Sequence, residues 1–446
     1  MSASLKWRSL AAPVLIPVLV CVMAGSLAVP VCAQSAPETF SFPLHDRESL
    51  ALGQVIIHGN HHTDETVILR IMGLGIGEPV TQKDVEAAWD RLEDSGFFRT
   101  VDVDYDDTED EAVLEITVEE DLKTYYGPIV RYDRRFKYLL GAYVEQRNFR
   151  GHGENLRIEG IGLYAQQGHL TWDRPWFLGR TGLSAHLEAG YEQADFAFRP
   201  TRFRKWEAAA AIRNAWGPFF AAAGVARGSF EQRDDYAWAL PLRDNDPPAP
   251  GAAAYSAHTE GYWRVEGAVG VDSRSNPYYP RRGVFLEARL RSWSSDDFAS
   301  YLESSLDGRV FVPLPWKHHI LAVHAWGRST DGPTQLDNTL FFGGPETVRG
   351  YPFGQREGEH GYLLSAEYRV PLFLMPISPQ GELVGVGIHF FGDAGDAWFD
   401  GDDPGRAIQS AGAGLHLNLD TLQLRFEAAR TSSGKWGFEF MDRFNF

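Results

Sequence analysis

The chain has 446 residues, a formal net charge of −18 and two cysteines, Cys21 and Cys32. That length holds two or three ordinary domains, or one small domain and a large barrel. The acidity excludes a nucleic-acid partner, which needs a basic face, and leaves no polybasic surface for anionic lipid.

Residues 1–33 read as a secretory signal that is removed. Lys6 and Arg8 supply the positive start, an apolar run follows from Leu10 to Val31, and Val31-Cys32-Ala33 offers a cleavage site before Gln34. A membrane anchor is the competing reading, since the run has about the 20 residues needed to span. Pro13, Pro17 and Pro30 count against it. Both cysteines lie in this segment, so the mature chain has no disulfide or thiolate chemistry, and losing two basic residues takes its charge to −20. No later stretch is apolar enough for a transmembrane helix. The exported protein is therefore either periplasmic or a membrane-spanning barrel.

A short Pro-containing lead, 34–49, precedes a segment over 50–122 that reads as strand, helix, helix, strand, strand. Val55 and Ile57 mark the first strand, which ends at Gly59-Asn60. Thr63 is placed to cap a helix carrying Val67, Ile68, Ile71 and Met72, stopped by Gly73. Thr81 with Asp84 resembles a capping box for a second helix, in which Val85, Ala88, Trp89 and Leu92 recur at helical spacing until Gly96. Strands over Val101–Tyr105 and Ala112–Val118 follow, joined by Asp106–Glu111. This order, with Gly96-Phe97-Phe98 after the second helix, resembles a polypeptide-transport-associated (POTRA) domain. An exposed strand edge in such a domain can take an extended peptide by strand addition. His61 and His62 lack a third ligand nearby and read as surface residues, with no metal.

From 125 to 446 the texture changes to alternation with period two. Leu183, Ala185, Leu187, Ala189 and Tyr191 share one face, and Ser184, His186, Glu188 and Glu192 the other. The same split recurs in Val284–Arg291, Ala413–Leu419 and Leu422–Ala428. Strands of about ten residues with one apolar and one charged face have the transmembrane-barrel pattern. Inner charges such as Glu287, Arg289, Arg425 and Glu427 need a wet or paired lumen, which argues against a dry-cored sandwich. Sixteen strands are expected, starting near 126, 139, 154, 168, 182, 203, 219, 258, 282, 299, 319, 361, 382, 408, 421 and 436. The fold class is thus mostly β: a small α+β domain followed by a 16-stranded antiparallel transmembrane barrel. Glu231–His258 and Thr330–His360 read as long polar loops, and Asn276–Pro280 and Pro313–Pro315 as tight turns.

Inside the second long loop lies Gly343-Gly344-Pro345-Glu346-Thr347-Val348-Arg349-Gly350-Tyr351. Two glycines and a proline announce a bend. The Val-Arg-Gly-Tyr tetrapeptide resembles the signature of the BamA/TamA-type outer-membrane assembly superfamily, also called the bacterial surface antigen family. Phe391-Gly392-Asp393-Ala394-Gly395 resembles that family's second motif, an acid between an aromatic and a glycine. The resemblance implies a loop folded back into the barrel, with its arginine meeting acids on the inner wall. Alternation turns Ser365, Glu367 and Arg369 inward on one strand and His389, Phe391 and Asp393 inward on another. Two unpaired inner carboxylates are costly, and an arginine fork can satisfy both. Arg349 is therefore the expected lock, with Glu367 and Asp393 as acceptors, Gly350 permitting the turn, and Val348 and Tyr351 wedging the tip.

The resemblance also implies that the first and last strands meet and part to admit a client strand. Gly127 and Pro128 in the first strand and Gly437 in the last are the seam candidates, because proline cannot donate to a ladder. Phe440, Phe444 and Phe446 resemble the terminal aromatic signal by which such barrels are recognised for assembly. The sequence has no Gly-x-Ser-x-Gly elbow, no His-Glu-x-x-His and no zinc-spaced cysteines, so neither an enzyme nor a cofactor is expected. The expected protein sits in the outer membrane, in contact with its lipid, with the POTRA domain in the periplasm. It inserts or translocates an unfolded protein client, or meets a periplasmic partner, through that domain. The alternative is a passive pore or structural barrel with a tethering domain. The principal assembly factor of the family carries several POTRA domains, and one here favours an accessory or client-restricted role.

Overall fold

The computed structural model describes residues 49–441 except 107–110, 122, 134–136, 164, 196–201, 234–257, 276–278, 298, 317, 333, 335–337, 377–382, 403–404 and 420–421. The expected signal, Phe444 and Phe446 lie outside the described residues.

The N-terminal domain runs β1 (Leu50–His58), α1 (Glu65–Met72), β2 (Pro79–Val80), α2 (Gln82–Asp94), β3 (Phe98–Asp106) and β4 (Glu111–Glu120). Its sheet has the order β2-β1-β4-β3, with β1 and β4 parallel. Both helices cover one face, burying Ile68, Met72, Val85 and Leu92 against Leu52, Phe98, Leu114 and Ile116. The short strand β2 was not legible, because two residues cannot display an alternation. The capping box is present: Thr81 Oγ1 accepts from the Asp84 amide at 3.3 Å, and Asp84 accepts from the Thr81 amide at 2.9 Å. Thr63, however, does not cap α1. Asp64 does, accepting from the Thr66 amide at 2.8 Å, which also sets a carboxylate on the positive end of the helix.

Thr63 is used elsewhere. Its amide and hydroxyl donate to Glu120 Oε1 at 2.6 and 2.7 Å, and the His62 amide adds a bond of 3.0 Å. Asn148 Nδ2 donates to the same Thr63 hydroxyl at 2.8 Å, the Asp64 amide reaches the Gly151 carbonyl at 2.9 Å, and His62 Nε2 lies 3.0 Å from the Asn148 carbonyl. Residues 148–151 belong to the barrel end nearest the domain, so the two units are joined by buried polar contacts as well as by the chain. Burial acts to raise the Glu120 pKa, but Thr63, His62 and Lys123 outweigh it and hold the carboxyl below its ordinary range. A depressed folded pKa contributes stability above the unfolded value of about 4.3, and that contribution is lost as pH falls through the folded value. Glu120→Ala is expected to loosen the joint by about 1–3 kcal/mol while leaving the barrel intact. Amide exchange at 61–64 and 148–151 should then quicken at neutral pH, as it should in the unaltered chain under acid. Unchanged exchange in both cases would remove Glu120 from the joint.

The barrel strands are β5 (Thr124–Asp133), β6 (Lys137–Phe149), β7 (Glu154–Leu163), β8 (Ala165–Arg174), β9 (Leu183–Asp195) and β10 (Arg202–Trp216). There follow β11 (Phe219–Arg233), β12 (His258–Asp272), β13 (Gly283–Ser294), β14 (Tyr301–Pro313) and β15 (Ile320–Asp331). A small hairpin in the long loop, β16 (Leu340–Phe342) and β17 (Arg356–Gly358), precedes the last wall strands. These are β18 (His360–Pro376), β19 (Leu383–Trp398), β20 (Ile408–Leu419), β21 (Leu422–Thr431) and β22 (Trp436–Met441). The sixteen wall strands form one antiparallel sheet in chain order, and each begins within three residues of its expected start. Residues such as Leu140, Val144, Ile158, Val265, Leu290 and Phe390 stand exposed on the outside, an apolar band that water would not tolerate. The sheet curls until Cα atoms of β5 and β22 come within 8 Å. No ladder joins these two strands among the described residues, whereas every other neighbouring pair is laced.

Candidate functional site

The loop between β15 and β18 returns into the barrel and delivers Arg349 to the inner wall, where it is fully buried. Gly350 makes the delivery possible. Its φ of +87° suits glycine, and a Cβ there would stand 2.8 Å from the Ala429 Cβ. The Gly350 amide donates to Glu439 Oε1 at 2.8 Å, which ties the loop to β22, a seam strand. Val348 and Tyr351 are buried on either side with Phe342 and Leu363, and the Tyr351 hydroxyl is 2.9 Å from Ser432 Oγ.

Asp393 takes most of the guanidinium. Arg349 Nε donates to its Oδ2 at 2.7 Å and Nη2 to its Oδ1 at 2.8 Å, in the two-pronged geometry that only arginine offers. The Arg349 amide adds 3.1 Å to Oδ2, and Ser365 Oγ donates to Oδ1 at 2.6 Å. Nη1 reaches Glu367 Oε2 at 3.0 Å and Glu427 Oε1 at 3.1 Å. The guanidinium lies 3.5 Å from the Phe391 ring centroid, so its face is covered as well as its edge.

Two further arginines share the acids. Arg369 Nε donates to Glu367 at 2.7 Å, and Arg425 Nη2 donates to Glu367 and Glu427 at 2.6 Å each. Three buried guanidinium groups thus face three buried carboxylates, and their charges balance. His389 Nε2 lies 2.9 Å from Glu427 Oε1, and its Nδ1 lies 3.2 Å from His416 Nδ1. The Tyr279 hydroxyl, from the β12–β13 turn, is 3.5 Å from His416 Nε2 and so crosses the lumen. Glu367, His389 and Glu427 have the mutual spacing of a metal site, but Arg349 and Arg425 already donate to those carboxylates. Positive guanidinium groups at the same oxygens repel a metal ion.

Alternation identified the inward positions of Glu367, Asp393, Arg425 and Glu427, but it did not bring the last two into the Arg349 cluster. Glu439 was also missed; its period-two position on β22 was the available signal. Gly127 and Pro128 lie in β5, opposite Tyr143 and Ala142, and Gly437 lies in β22, opposite Ala429. Phe440 pairs with Phe426 at a centroid distance of 4.8 Å. Elsewhere the wall is a ladder of paired charges: Arg264 to Glu207 at 2.7 Å, Arg291 to Glu266 at 3.0 Å and to Glu303 at 2.8 Å. Beside it is a cavity of about 350 Å³, lined by Ser184, His186, Arg213, Arg264, Glu266 and Arg289 among others.

An apolar outside, a charge-paired inside and an even strand number that returns both chain ends to one face together define an outer-membrane barrel with a domain beneath it. Residues 148–446 match the model of the Omp85 superfamily domain, and residues 51–121 match that of the surface antigen variable number repeat, a POTRA module. The chain belongs to the Omp85 superfamily; the barrel lies in the outer membrane and the POTRA domain in the periplasm. Among solved structures it is similar to BamA from Haemophilus ducreyi lacking POTRA domains 1–3, at TM-score 0.64 and 18% identity over 88% of this chain and 84% of that one. It is also similar to CdiB from Escherichia coli (TM-score 0.63, 15% identity, 88% and 76% covered) and to CdiB from Acinetobacter baumannii (0.60, 11%, 88% and 73%). These likenesses bear on the fold. No curated protein matches the chain in sequence.

Proposed function

We propose that this protein inserts or translocates protein clients at the outer membrane. The POTRA domain receives an unfolded chain, and the seam or the lumen passes it. The observation that carries the reading is a contrast: the interior is filled by the Arg349 cluster, while β5 and β22 lie side by side without a ladder among the described residues. A passive pore needs the opposite, an open lumen and a laced wall. Among the described residues no strand pairs with the outer edge of β3, which supports the reception step by leaving main-chain donors and acceptors for an added strand. In this reading Arg349, Glu367 and Asp393 are the lock, Val348, Gly350 and Tyr351 shape its tip, and Gly127, Pro128 and Gly437 belong to the seam. Phe440, with Phe444 and Phe446, is the assembly signal. The machinery is one of binding and conformational change, with no catalysis.

The test uses the mature chain in proteoliposomes and a urea-unfolded outer-membrane β-barrel precursor as the probe client. Faster membrane integration of the probe than in empty liposomes is the expected result. Equal rates, together with a steady ohmic conductance, would return the passive-pore reading.

Pro128→Val gives β5 one more backbone donor, worth about 0.5–1.5 kcal/mol of pairing. Slower amide exchange along residues 125–129 and a lower rate of probe integration are expected. If exchange there does not change, Pro128 does not weaken the seam.

A further inference from the structure

Two groups of acid and imidazole have the mutual spacing of metal ligands, and they differ in what surrounds them. Glu367, His389 and Glu427 are covered by guanidinium groups, as described above. Glu359, His360 and Asp400 are not. Their ligand atoms lie within 4.8 Å of one another, and neither carboxylate is in contact with a lysine or arginine among the described residues. Glu359 and His360 stand where the long loop enters β18, and Asp400 stands in the turn after β19, at the end of the barrel remote from the POTRA domain. Asp400 joins the pair across 40 residues, so no ligand spacing was legible in the sequence.

The imidazole is held in place from two sides. Its ring stacks on Trp398 at 5.8 Å, and its Nδ1 is 2.9 Å from Ser329 Oγ on β15. Nε2 is thereby aimed at Asp400 Oδ1, 2.9 Å away. A histidine that binds a metal through one nitrogen has the other fixed by an outer partner of this kind. A serine hydroxyl donates or accepts, so it suits both tautomers. Nε2 carries the proton when it donates to Asp400, and Nδ1 carries it when Nε2 offers its lone pair to a cation.

Glu359 is buried. Its Oε1 accepts from the Thr334 amide at 2.8 Å and its Oε2 from the Asp400 amide at 3.4 Å, bonds that leave its charge without a cation in contact. A buried carboxylate in that condition is costly. A second, separate observation concerns Thr334, which the amide bond places beside Glu359. Its hydroxyl oxygen is buried with no hydrogen-bond partner among the described residues. A cation's shell would satisfy both groups.

We propose that Glu359, His360 and Asp400 bind one divalent transition-metal ion, zinc or a close relative, with the Thr334 hydroxyl as a further oxygen donor. One imidazole among carboxylate oxygens is a donor set for such an ion, whereas calcium and magnesium take oxygen ligands. Thr334 lies near the start of the long loop and Glu359 at its end, so the ion clamps both ends of the segment that carries Arg349 to the turn after β19. The clamp is independent of the client-handling reading.

The test uses the folded chain from residue 34 in detergent micelles, stripped with EDTA and returned to chelator-free buffer. That chain has no cysteine, so no thiolate competes for the metal. Zinc titrated by calorimetry is expected to fill one site that Asp400→Ala lacks. Asp400 is 75% exposed, so its truncation leaves the fold intact. Ser329→Ala removes only the hydroxyl that orients His360 and should weaken binding by about 10–100-fold. His61→Gln, a control for zinc on surface imidazoles, should bind as the wild type does. Zinc should also slow amide exchange at 334 and 359–361 in the wild type, and not in Asp400→Ala. Identical isotherms for wild type and Asp400→Ala, or exchange that zinc does not move, would reduce the group to a hydrogen-bonded ion pair and overturn the clamp.

Discussion

Arg349→Ala is expected to cost the barrel about 3–5 kcal/mol, because it leaves buried acids without their cation. Asp393 bears most of the loss. Two of its four donors are Arg349 side-chain nitrogens, and only the residue-349 amide and Ser365 Oγ would remain. Glu367 and Glu427 keep Arg425, so they are less affected. Removing the charge at the orphaned site should therefore rescue part of the loss, and Arg349→Ala with Asp393→Asn should be more stable than Arg349→Ala alone. Arg349→Lys keeps the charge but not the fork, and belongs between wild type and alanine. Urea titration of the folded barrel in micelles, read by heat-modifiable mobility, measures all four. Bilayer conductance should rise in the same order as stability falls. A variant that melts and conducts like wild type would show the cluster to be incidental to loop placement.

Phe98→Ala should unfold the POTRA domain and spare the barrel. Phe98 is buried at the start of β3, packed edge-on against Phe97 at 6.4 Å and within the core that both helices cover. Truncating a buried phenylalanine costs about 3–5 kcal/mol. A domain of this size has roughly 0.05–0.15 kcal/mol of stability per residue, so the loss is comparable with the whole. Limited proteolysis should then trim the protein to its barrel, with heat-modifiable mobility retained and acceleration of probe integration lost. Phe98→Leu, which keeps most of the volume, should resist proteolysis. Equal protease resistance of the alanine variant and wild type would place the domain's stability elsewhere.

Much of the site could be read in advance because its logic is local. Period-two alternation puts Glu367 and Asp393 on the inner face whatever the rest of the chain does, and Val348-Arg349-Gly350-Tyr351 declares an arginine on a bend. Convergence is another matter. Glu427 and Glu439 reach the loop across 78 and 89 residues, and nothing in either strand states which arginine stands opposite. The Thr63 reading failed for the same reason: its hydroxyl suits a helix cap, but Glu120 and Asn148, distant in sequence, hold it.

The sequence by itself determined the order of the two domains, the number and phase of the barrel strands, and the inward position of the acids, because each follows from spacing along a single segment. Only the tertiary structure decided which charges meet, how the POTRA domain is moored to the barrel rim, and that β5 and β22 approach without a ladder among the described residues. Those depend on how far the sheet curls and where one loop folds back, and closure of that kind is a sum over all sixteen strands.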